Sequence, residues 1–510
     1  MKTDFIVNVH PDVTRIALRE DERLMELIVD KADSRRIVGN IYLGSVSAVL
    51  PGMQAAFVDI GLERSAFLHV SDLRDGNLDA REFSSSLRDG KPLVGRDSEQ
   101  SIESLLRKGQ EILVQVTKEP IGTKGARVST RISIAGRYVV SMPGDPVSGV
   151  SRKIGDRRER QRLRKVLDHI QVDGFGIIAR TVGTGQSEES FSGDIQGLIE
   201  RWKEVGELAL ASRAPALLHQ EYDAVTTAMR DMFSPDMDAF ITDSKEVCRL
   251  ARQYLKKTDP GLARKVRYYR GRTPIFDHYG IEPQIDQLLH RDVPLKSGGS
   301  LVIEHTEALV AIDVNTRRYV GKRSQESTIL KTNMEAAKEV ARQLRLRDLG
   351  GLIVIDFIDM ENEEHREKVL QCLRSELGKD RSPTKTCQVS TLGLVEMTRK
   401  RVRPSLIQAL SEPCEHCGGS GRVMGPVSAA TRLERFLERA AIKKRHRDLV
   451  VSIHPSLAAY LLEDEGRRLD HLCRSVQDLR IELHEDPGLR VDGFRVYSLD
   501  AHEEIVEFHD

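Results

Sequence analysis

The stretch SLVIEHTEALVAIDVN (residues 300–315), QESTILKTNMEAAKEVARQLRLRDLGG (325–351) and LIVIDFIDM (352–360) decides the fold of the chain. In the first part, apolar and polar residues alternate as they do in a pair of β-strands. The second has the period of a long helix that ends at a glycine pair, and the third is a short apolar run typical of a buried strand. A strand, a crossover helix and a further strand predict a β-helix-β unit. We therefore expect an α/β fold.

Two aspartates follow the apolar runs of these strands. Asp313 lies in AIDVN and Asp356 in VIDFID, and parallel sheets bind ligands at the carboxyl ends of their strands. If the strands are neighbours, both carboxylates and Asn315 point into one crevice and offer the oxygen ligands that Mg²⁺ prefers. Such a site suits phosphoryl transfer. Spacing alone leaves open that each aspartate is only a helix N-cap or turn residue.

Two further carboxylates, Asp359 and Glu307, are expected near the pair, either supporting it or facing solvent. The chain contains no GxxxxGK loop, which argues against a P-loop ATPase or GTPase.

Toward the N-terminus the chain is rich in strands. DFIVNV, TRIALRE and LMELIVD predict a small antiparallel sheet, and residues 37–73 read as a small barrel that resumes at EILVQVTKEP after a polar insertion from about Arg74 to Lys108. From Arg131 onward, ISIAGRYVVSM and GFGIIARTVGTGQS predict another α/β piece. No internal repeat is visible.

The composition is that of a soluble globular protein. With 510 residues, 39% hydrophobic and 31% charged, the chain should hold about three or four domains. The 78 Lys and Arg residues balance the 78 Asp and Glu residues, so the net charge is zero. Any nucleic-acid binding must therefore come from local basic patches. No apolar stretch approaches the ~18 residues of a membrane span and the start lacks a signal-peptide pattern, so we expect a cytoplasmic protein.

Cys414 and Cys417 form one CxxC pair, followed by GGSG. Tight turns of this kind hold zinc in zinc knuckles, but one pair supplies half of a tetrahedral site. A redox CxxC is the competing interpretation, although the pair precedes a glycine turn where a thioredoxin-like motif would open a helix. The residues alone leave both open.

Positive charge is concentrated in three runs, at residues 151–165, 399–403 and 443–447. Such runs are usually solvated helix faces. Because RKRVR (399–403) follows the β-helix-β segment, it is also a candidate contact to a phosphate backbone near the scissile bond, with binding that weakens steeply with salt.

The runs EALVAIDVNTRR, TNMEAAKEVARQLRLRDLGGLIVIDFIDM and CEHCGGSGRV resemble the ribonuclease E/G family of bacterial endoribonucleases, and the ending is more similar to its ribonuclease G members. The resemblance implies an α/β multidomain architecture with these segments: 1–37 and 226–288, an RNase-H-like piece in two parts; 38–129, an inserted S1 (OB-fold) barrel; 130–225, a 5′-sensor; 289–410, a DNase-I-like catalytic piece; 411–424, a zinc link; 425–510, a small C-terminal α/β domain.

The same resemblance implies roles for particular residues. It makes Asp313 and Asp356 ligands of a catalytic Mg²⁺ that Asn315 helps to position, and Cys414 and Cys417 ligands of a Zn²⁺ shared between two subunits.

In the barrel, the resemblance implies that Phe57 and Phe67 stack on bases and that Lys124 contacts RNA. Ile60 stands where some members carry tyrosine. From strand spacing alone, both phenylalanines would be core residues.

The resemblance also implies a pocket for a 5′-monophosphate, formed by Arg180 and Thr181 with the backbone of Gly136 and Val140. An arginine and a hydroxyl beside a glycine turn suit a terminal phosphate, although most such pairs are solvated surface.

The expected function is therefore a Mg²⁺-dependent endoribonuclease that cuts single-stranded RNA, leaves a 5′-phosphate and a 3′-hydroxyl, and acts in rRNA processing and mRNA decay as a homodimer or dimer of dimers. A non-catalytic RNA-binding or ribosome-associated factor would explain the barrel and basic runs but not the paired aspartates. A zinc-dependent redox or structural protein would explain the CxxC alone.

Overall fold

The computed structural model describes residues 2–31, 37–73, 101–120, 124–145, 147–316, 325–390, 393–401, 405–444, 447–463, 468 and 480–505. Most of the predicted polar insertion lies outside these ranges. The chain forms two compact units, Met1–Ala409 and Leu410–Asp510. None of the helices within the described ranges is long and apolar enough to cross a membrane.

The N-terminal segment forms the predicted antiparallel strands, which are β1 (Thr3–His10), β2 (Val13–Glu20) and β3 (Arg23–Lys31). The turn between β2 and β3 has only two residues, Asp21 and Glu22, and both have positive φ. This geometry matches the right-handed twist of paired strands and keeps the hairpin tight.

Five strands then close into a barrel. Its members are β4 (Ile41–Leu50), β5 (Ala55–Asp59), β6 (Ala66–His69), β7 (Glu111–Lys118) and β8 (Arg127–Ser129), with the short helix α1 (Ile102–Leu105) before β7. The strand order is β4-β5-β6-β8-β7, and pairing of β4 with β7 closes the ring. Buried aliphatic side chains fill the interior.

An α/β piece follows the barrel. Its strands are β9 (Ile134–Ala135), β10 (Val139–Pro143), β11 (Gly149–Val150) and β12 (Phe175–Ala179), and its helices are α2 (Arg157–His169) and α3 (Glu188–Ala211). Asp156 and Ser187 cap the two helices with their side chains. β13 (Ala216–His219) then returns to pair with β4 of the barrel.

The chain next completes the N-terminal sheet. This segment contains α4 (Ala224–Met232), β14 (Ala239–Thr242), α5 (Lys245–Thr258), α6 (Pro260–Ala263), β15 (Val266–Tyr268), α7 (Ile275–His278) and α8 (Glu282–Asp286). β14 pairs in parallel with β1, and the sheet order is β15-β14-β1-β2-β3. One sheet is thus built from two segments of the chain that are far apart in sequence.

A second α/β sheet contains the predicted β-helix-β unit. Its elements are β16 (Asp292–Pro294), β17 (Ser300–His305), β18 (Leu309–Asn315), α9 (Gln325–Leu346), β19 (Gly351–Asp356), α10 (Glu363–Leu377), β20 (Thr384–Val389) and β21 (Leu394–Arg399), followed by α11 (Leu406–Leu410). The strand order is β16-β17-β18-β19-β21-β20. β18 and β19 are parallel, which confirms the prediction from periodicity.

The second unit is a small mixed α/β domain. It contains α12 (Pro426–Lys444), β22 (Asp448–Ile453), α13 (Pro455–Leu462), β23 (Arg480–Glu485), β24 (Phe494–Ser498) and β25 (Glu503–Ile505). Its strand order is β23-β22-β24-β25, and it has its own hydrophobic core.

Candidate functional site

Asp313 and Asp356 lie side by side on β18 and β19, where they are register partners. Their strand neighbours, including Ile312 and Ile355, are buried in the core with residues of α9 and α10. Because side chains alternate along a strand, both carboxylates lie on the opposite, exposed face of the sheet. The structure thus places the two carboxylates on one face of the sheet. We call these two residues the aspartate pair.

Asn315 shares this face two residues after Asp313. Its Nδ2 donates a hydrogen bond of 2.6 Å to Asp313 Oδ2. The bond fixes the orientation of the carboxylate and leaves its other oxygen for a ligand.

Among the described residues, the charged groups that influence Asp356 are negative. Burial and the charges of Asp313 and Asp359 raise the pKa of Asp356 above its ordinary value. Asp359 is therefore near the pair, as expected. Glu307 is not, because it lies in the turn between β17 and β18, at the opposite end of β18.

The donor set of the aspartate pair fits Mg²⁺. This ion is usually held by one or two carboxylates and keeps several of its waters. Among the described residues, no group of three or more His, Cys, Asp or Glu side chains is arranged to hold a metal. A site on this face would therefore rely on two carboxylates and water.

Phe57 and Phe67 are register partners on β5 and β6. Their rings meet edge to face with centroids 6.1 Å apart. Both are half-buried, whereas the residues that flank them on the two strands are fully buried in the barrel core: Ala56, Val58, Ala66 and Leu68. The interpretation of the two phenylalanines as core residues is therefore wrong, and they form an aromatic patch on the outer surface of the barrel.

Lys124 is exposed and lies next to β6. The following residue, Gly125, approaches the carbonyl of Ser65 so closely that a Cβ atom would collide with it, and only glycine fits there. Ile60 is 2% exposed and belongs to the barrel core. Its side chain therefore does not take part in the aromatic patch.

Arg180 lies at the end of β12 and is held in place by three hydrogen bonds. Its backbone N–H donates to the Tyr138 carbonyl at 2.8 Å. Its guanidinium donates to the Gly136 carbonyl and to Asp231 Oδ1, both at 2.6 Å. Thr181 begins a 3₁₀ turn and is exposed. The structure therefore brings Gly136, Arg180 and Thr181 together.

Asp194 of α3 holds the backbone that follows Gly136. This carboxylate accepts the backbone N–H groups of Arg137, Tyr138 and Val139 at 3.0, 2.7 and 3.1 Å. A Cβ atom at Gly136 would lie 2.5 Å from Asp194 Oδ2. The glycine is thus required by close approach. Val140 lies on β10 between Ala135 and Ile178, its register partners. We call Gly136, Val140, Arg180 and Thr181 the candidate phosphate pocket.

Asp231 is a residue of this region that the sequence did not reveal. It accepts from Arg180 and also from Arg230 Nε at 2.9 Å. The two arginines hold the pKa of Asp231 below its ordinary value despite its burial. Asp231 lies on α4, 51 residues after Arg180, and no motif links the two positions.

Cys414 and Cys417 lie in a turn before α12, which begins at Pro426. The Gly421 N–H donates to Cys417 Sγ at 3.3 Å. Backbone N–H groups of Gly421 and Gly419 lower the pKa of the Cys417 thiol, which favours the thiolate that binds zinc. The pair does not open a helix, as a redox CxxC would.

The basic run at residues 399–403 includes a buried arginine. Arg399 is 5% exposed and pairs with Asp380 at 2.7 Å and Asp348 at 2.8 Å. It is the register partner of Gly351, at the opposite end of β19 from Asp356. The proposed phosphate contact near the scissile bond is therefore wrong for Arg399. Residues 402–403 lie outside the described ranges.

The other two runs differ from each other. Residues 151–165 place Arg157, Arg158, Arg164 and Lys165 on exposed positions in and around α2, as a solvated helix face would. Arg162 instead pairs with Glu159 at 2.7 Å. In the run 443–447, only Arg447 has a described side chain.

Comparisons with known proteins agree with this architecture. The profile of the ribonuclease E/G family matches residues 133–402, and a profile described as RNase E/G, thioredoxin-like domain, matches residues 413–499.

Curated relatives match almost the whole chain. Ribonuclease G of Escherichia coli K12 is 39% identical over 473 residues, which cover 92% of this chain and 94% of the relative. Ribonuclease G of Haemophilus influenzae is 41% identical over 91% of this chain and 93% of the relative. Ribonuclease E of Haemophilus influenzae is 37% identical over 99% of this chain but only 53% of the relative. The chain belongs to the ribonuclease E/G family and is an endoribonuclease.

Proposed function

We propose that this endoribonuclease is Mg²⁺-dependent, cuts single-stranded RNA, and leaves a 5′-phosphate and a 3′-hydroxyl. The observation that carries the proposal is the aspartate pair, two register-partner carboxylates on an exposed sheet face of a chain in this family. Its cellular roles would be rRNA processing and mRNA decay, as the family resemblance implies.

In this mechanism Asp313 and Asp356 hold the metal. The hydrogen bond from Asn315 occupies one carboxylate oxygen of Asp313 and leaves the other oxygen for the metal. When bound, Mg²⁺ would neutralise charge on the scissile phosphate and lower the pKa of a coordinated water. The carboxylates must be ionised for this. Burial raises the pKa of Asp356 most, the charges of Asp313 and Asp359 raise it further, and a bound divalent cation would offset those two charges.

The aromatic patch would hold the RNA strand. Bases stack on aromatic faces whatever their identity, and a lysine beside the rings adds attraction for phosphate. The patch of Phe57 and Phe67 with exposed Lys124 suits single strands, because a base in a duplex is stacked between its neighbours and cannot offer its face. The barrel strand order β4-β5-β6-β8-β7 supports the assignment of an S1 (OB-fold) barrel.

The candidate phosphate pocket would bind the 5′-monophosphate of the substrate and so stimulate cleavage. Arg180 is only partly exposed and its guanidinium is aimed by Gly136 and Asp231, while Thr181 offers an exposed hydroxyl. An arginine in fixed orientation gives directional, charge-assisted hydrogen bonds to a terminal phosphate.

The CxxC pair would bind Zn²⁺ together with the same pair of a second subunit. Each chain supplies two thiolates, and a structural zinc site needs four ligands. The lowered pKa of Cys417 suits this role. Homodimers or dimers of dimers would follow.

We propose the following domain boundaries. Residues 1–37 and 226–288 form the RNase-H-like piece, 38–129 the barrel, 130–225 the 5′-sensor and 289–410 the DNase-I-like piece. Residues 411–424 form the zinc link and 425–510 the C-terminal domain. The sheet shared by β1–β3 and β14–β15 supports the joining of the first two segments.

The test is cleavage of a fluorescent single-stranded RNA with a 5′-monophosphate or a 5′-hydroxyl, in Mg²⁺ or in EDTA, by wild type and by Asp356→Ala. We expect Mg²⁺-dependent cutting that is faster on the monophosphate and absent in the variant. Equal activity in EDTA would overturn the metal assignment, and equal rates on the two RNAs would overturn the 5′-sensor.

A further inference from the structure

A large groove lies on the N-terminal sheet, outside the sites described above. Its volume is about 880 Å³, and it is lined by the end of β14 at Asp243, by α5, and by residues 268–275 at and after the end of β15. It therefore opens at the carboxyl ends of two parallel strands, where α/β sheets bind their ligands.

The lining is strongly basic in a chain whose net charge is zero. Six exposed cations line the groove: Lys245, Arg249, Arg252, Lys256, Arg270 and Arg272. Within the described part of the chain, none of them forms an ion pair with a carboxylate. The acidic residue of the lining, Asp243, is already engaged by Asn8 Nδ2 at 2.7 Å and the Val9 N–H at 3.0 Å. The lining thus carries six positive charges against one negative charge.

Four of these cations form a stripe along α5. Residues 245, 249, 252 and 256 are separated by four, three and four positions, which places them on one face of the helix. Like charges at this spacing destabilise a helix. The stripe lies along the groove, so a bound polyanion would relieve its repulsion.

Tyr268 and Tyr269 give the groove a fixed wall. The Tyr269 hydroxyl donates to the Thr273 carbonyl at 2.8 Å, which closes the loop that carries Arg270 and Arg272. Lys245 Nζ lies 6.0 Å from the centroid of the Tyr268 ring. A hydrogen bond therefore holds the loop of Arg270 and Arg272, and Lys245 lies over the ring of Tyr268.

The groove is remote from the sheet that carries the aspartate pair. That sheet's helix α9 contacts the β3 edge of the N-terminal sheet, where Arg345 pairs with Glu26 at 2.7 Å. The groove lies at the β15 edge, four strand spacings away, which is roughly 19 Å at the usual strand separation. A ligand in the groove would not reach across to β3.

We propose that this groove binds the sugar-phosphate backbone of RNA, at a part of the substrate that lies outside the active site. Pockets for small molecules are mostly apolar with a few polar groups, whereas this one is lined by six cations. An open row of cations matches the repeating charge of a polymer, and RNA is the polyanion on which this enzyme acts. The groove would add affinity and orientation for long substrates.

The test is RNA binding by full-length chains that also carry Asp356→Ala to prevent cutting. The groove variant is Arg249→Ala/Lys256→Ala, and the matched control is Lys257→Ala/Arg267→Ala, which removes two exposed cations of the same helix and strand that do not line the groove. Fluorescence anisotropy is measured with a long unstructured 5′-hydroxyl RNA over a range of salt concentrations. Thermal unfolding checks that both variants are folded.

For the groove variant we expect the slope of log K against log salt to become shallower by about 1.4, with a loss of roughly tenfold or more in affinity near 0.1 M salt. The control should change neither quantity. Unchanged affinity and slope in the folded groove variant would overturn the proposal. So would binding of anionic phospholipid vesicles through the groove without any effect on RNA. If the wild type binds RNA through the groove yet never cuts it, the proposed cleavage mechanism fails while this inference stands.

Discussion

Asp313 and Asp356 are register partners on parallel strands, so the backbone of the sheet brings the two side chains next to each other. Replacing either with asparagine should lower the cleavage rate by about 10³-fold, because a lost metal ligand removes several kcal/mol of transition-state stabilisation. Both side chains are exposed, so stability should hardly change. Single-turnover cleavage checks this, with RNA binding as the control. Loss of binding together with cleavage would contradict a purely catalytic role.

Asn315→Ala should have a milder effect than loss of either aspartate. The variant removes the 2.6 Å hydrogen bond to Asp313 but no ligand atom. Loss of such an orienting partner typically costs 10–100-fold in metal affinity or activity, so we expect roughly that decrease. Titration of the cleavage rate with Mg²⁺ measures it. Activity equal to the wild type at all Mg²⁺ concentrations would exclude the orienting role.

The aromatic patch predicts separate effects on binding and stability. Phe57→Ala or Phe67→Ala should weaken binding of a short single-stranded RNA by about 1–3 kcal/mol, because stacking is lost. Leu68→Ala, in the barrel core next to Phe67, should instead lower the free energy of unfolding by about 2–5 kcal/mol. Anisotropy and chemical denaturation distinguish the two. A phenylalanine variant that loses stability but keeps its affinity for RNA would show that the rings serve packing and do not bind RNA.

Asp231→Asn should reduce the preference for 5′-monophosphorylated RNA. The substitution removes the charged partner that orients the Arg180 guanidinium, while the hydrogen bond to the Gly136 carbonyl remains. We expect a lower kcat/KM on the 5′-monophosphate substrate and little change on the 5′-hydroxyl substrate, with Asp231→Glu as the conservative comparison. An equal decrease on both substrates would indicate a general structural role.

Glu159 predicts a pH dependence near the candidate phosphate pocket. Its carboxylate binds Arg162 and the Gly185 N–H, and its pKa falls to about 2, chiefly because of Arg162. Since the folded-state pKa lies below the unfolded value, the contribution to stability is present above about pH 4.5 and is lost as pH falls toward 2. Glu159→Gln should therefore be less stable than the wild type at pH 7, with the difference shrinking in acid. Denaturation curves at several pH values measure this. A difference that grows in acid would contradict it.

Cys414→Ser should change the oligomeric state of the enzyme. If two subunits share one Zn²⁺, the variant, or chelation of the wild type, should dissociate the oligomer into monomers. Analytical ultracentrifugation with zinc quantification checks this. Loss of activity with an unchanged oligomeric state would favour the redox interpretation of the CxxC pair.

The sequence was most informative where local pattern and tertiary contact coincide. A β-helix-β unit makes its two strands neighbours, so the proximity of Asp313 and Asp356 followed from periodicity. Strand alternation could not tell which face of the barrel Phe57 occupies, and only the family resemblance indicated the outer one. The burial of Arg399 depends on Asp380 and Asp348, residues from other elements that a basic run does not reveal.

The sequence did not predict contacts between residues that are distant along the chain. Arg180 and Asp231 lie on different elements, and neither has a motif that predicts the other. The stripe on α5 gains its significance from Arg270 and Arg272, which are distant in sequence from Lys245 and which the fold brings to the same groove.

The N-terminal sheet also constrains how the protein is made. β1 ends at His10, but its second neighbour in the sheet, β14, begins only at Ala239 and is synthesised later. At about 5–20 residues per second, the intervening chain takes roughly 10–50 s to synthesise. Throughout that time one edge of β1 lacks its parallel partner and is open to incorrect strand pairing. The barrel has all five of its strands before β14 appears, so it can fold first, and the enzyme should depend more on chaperones before β14 is synthesised than after the chain is complete.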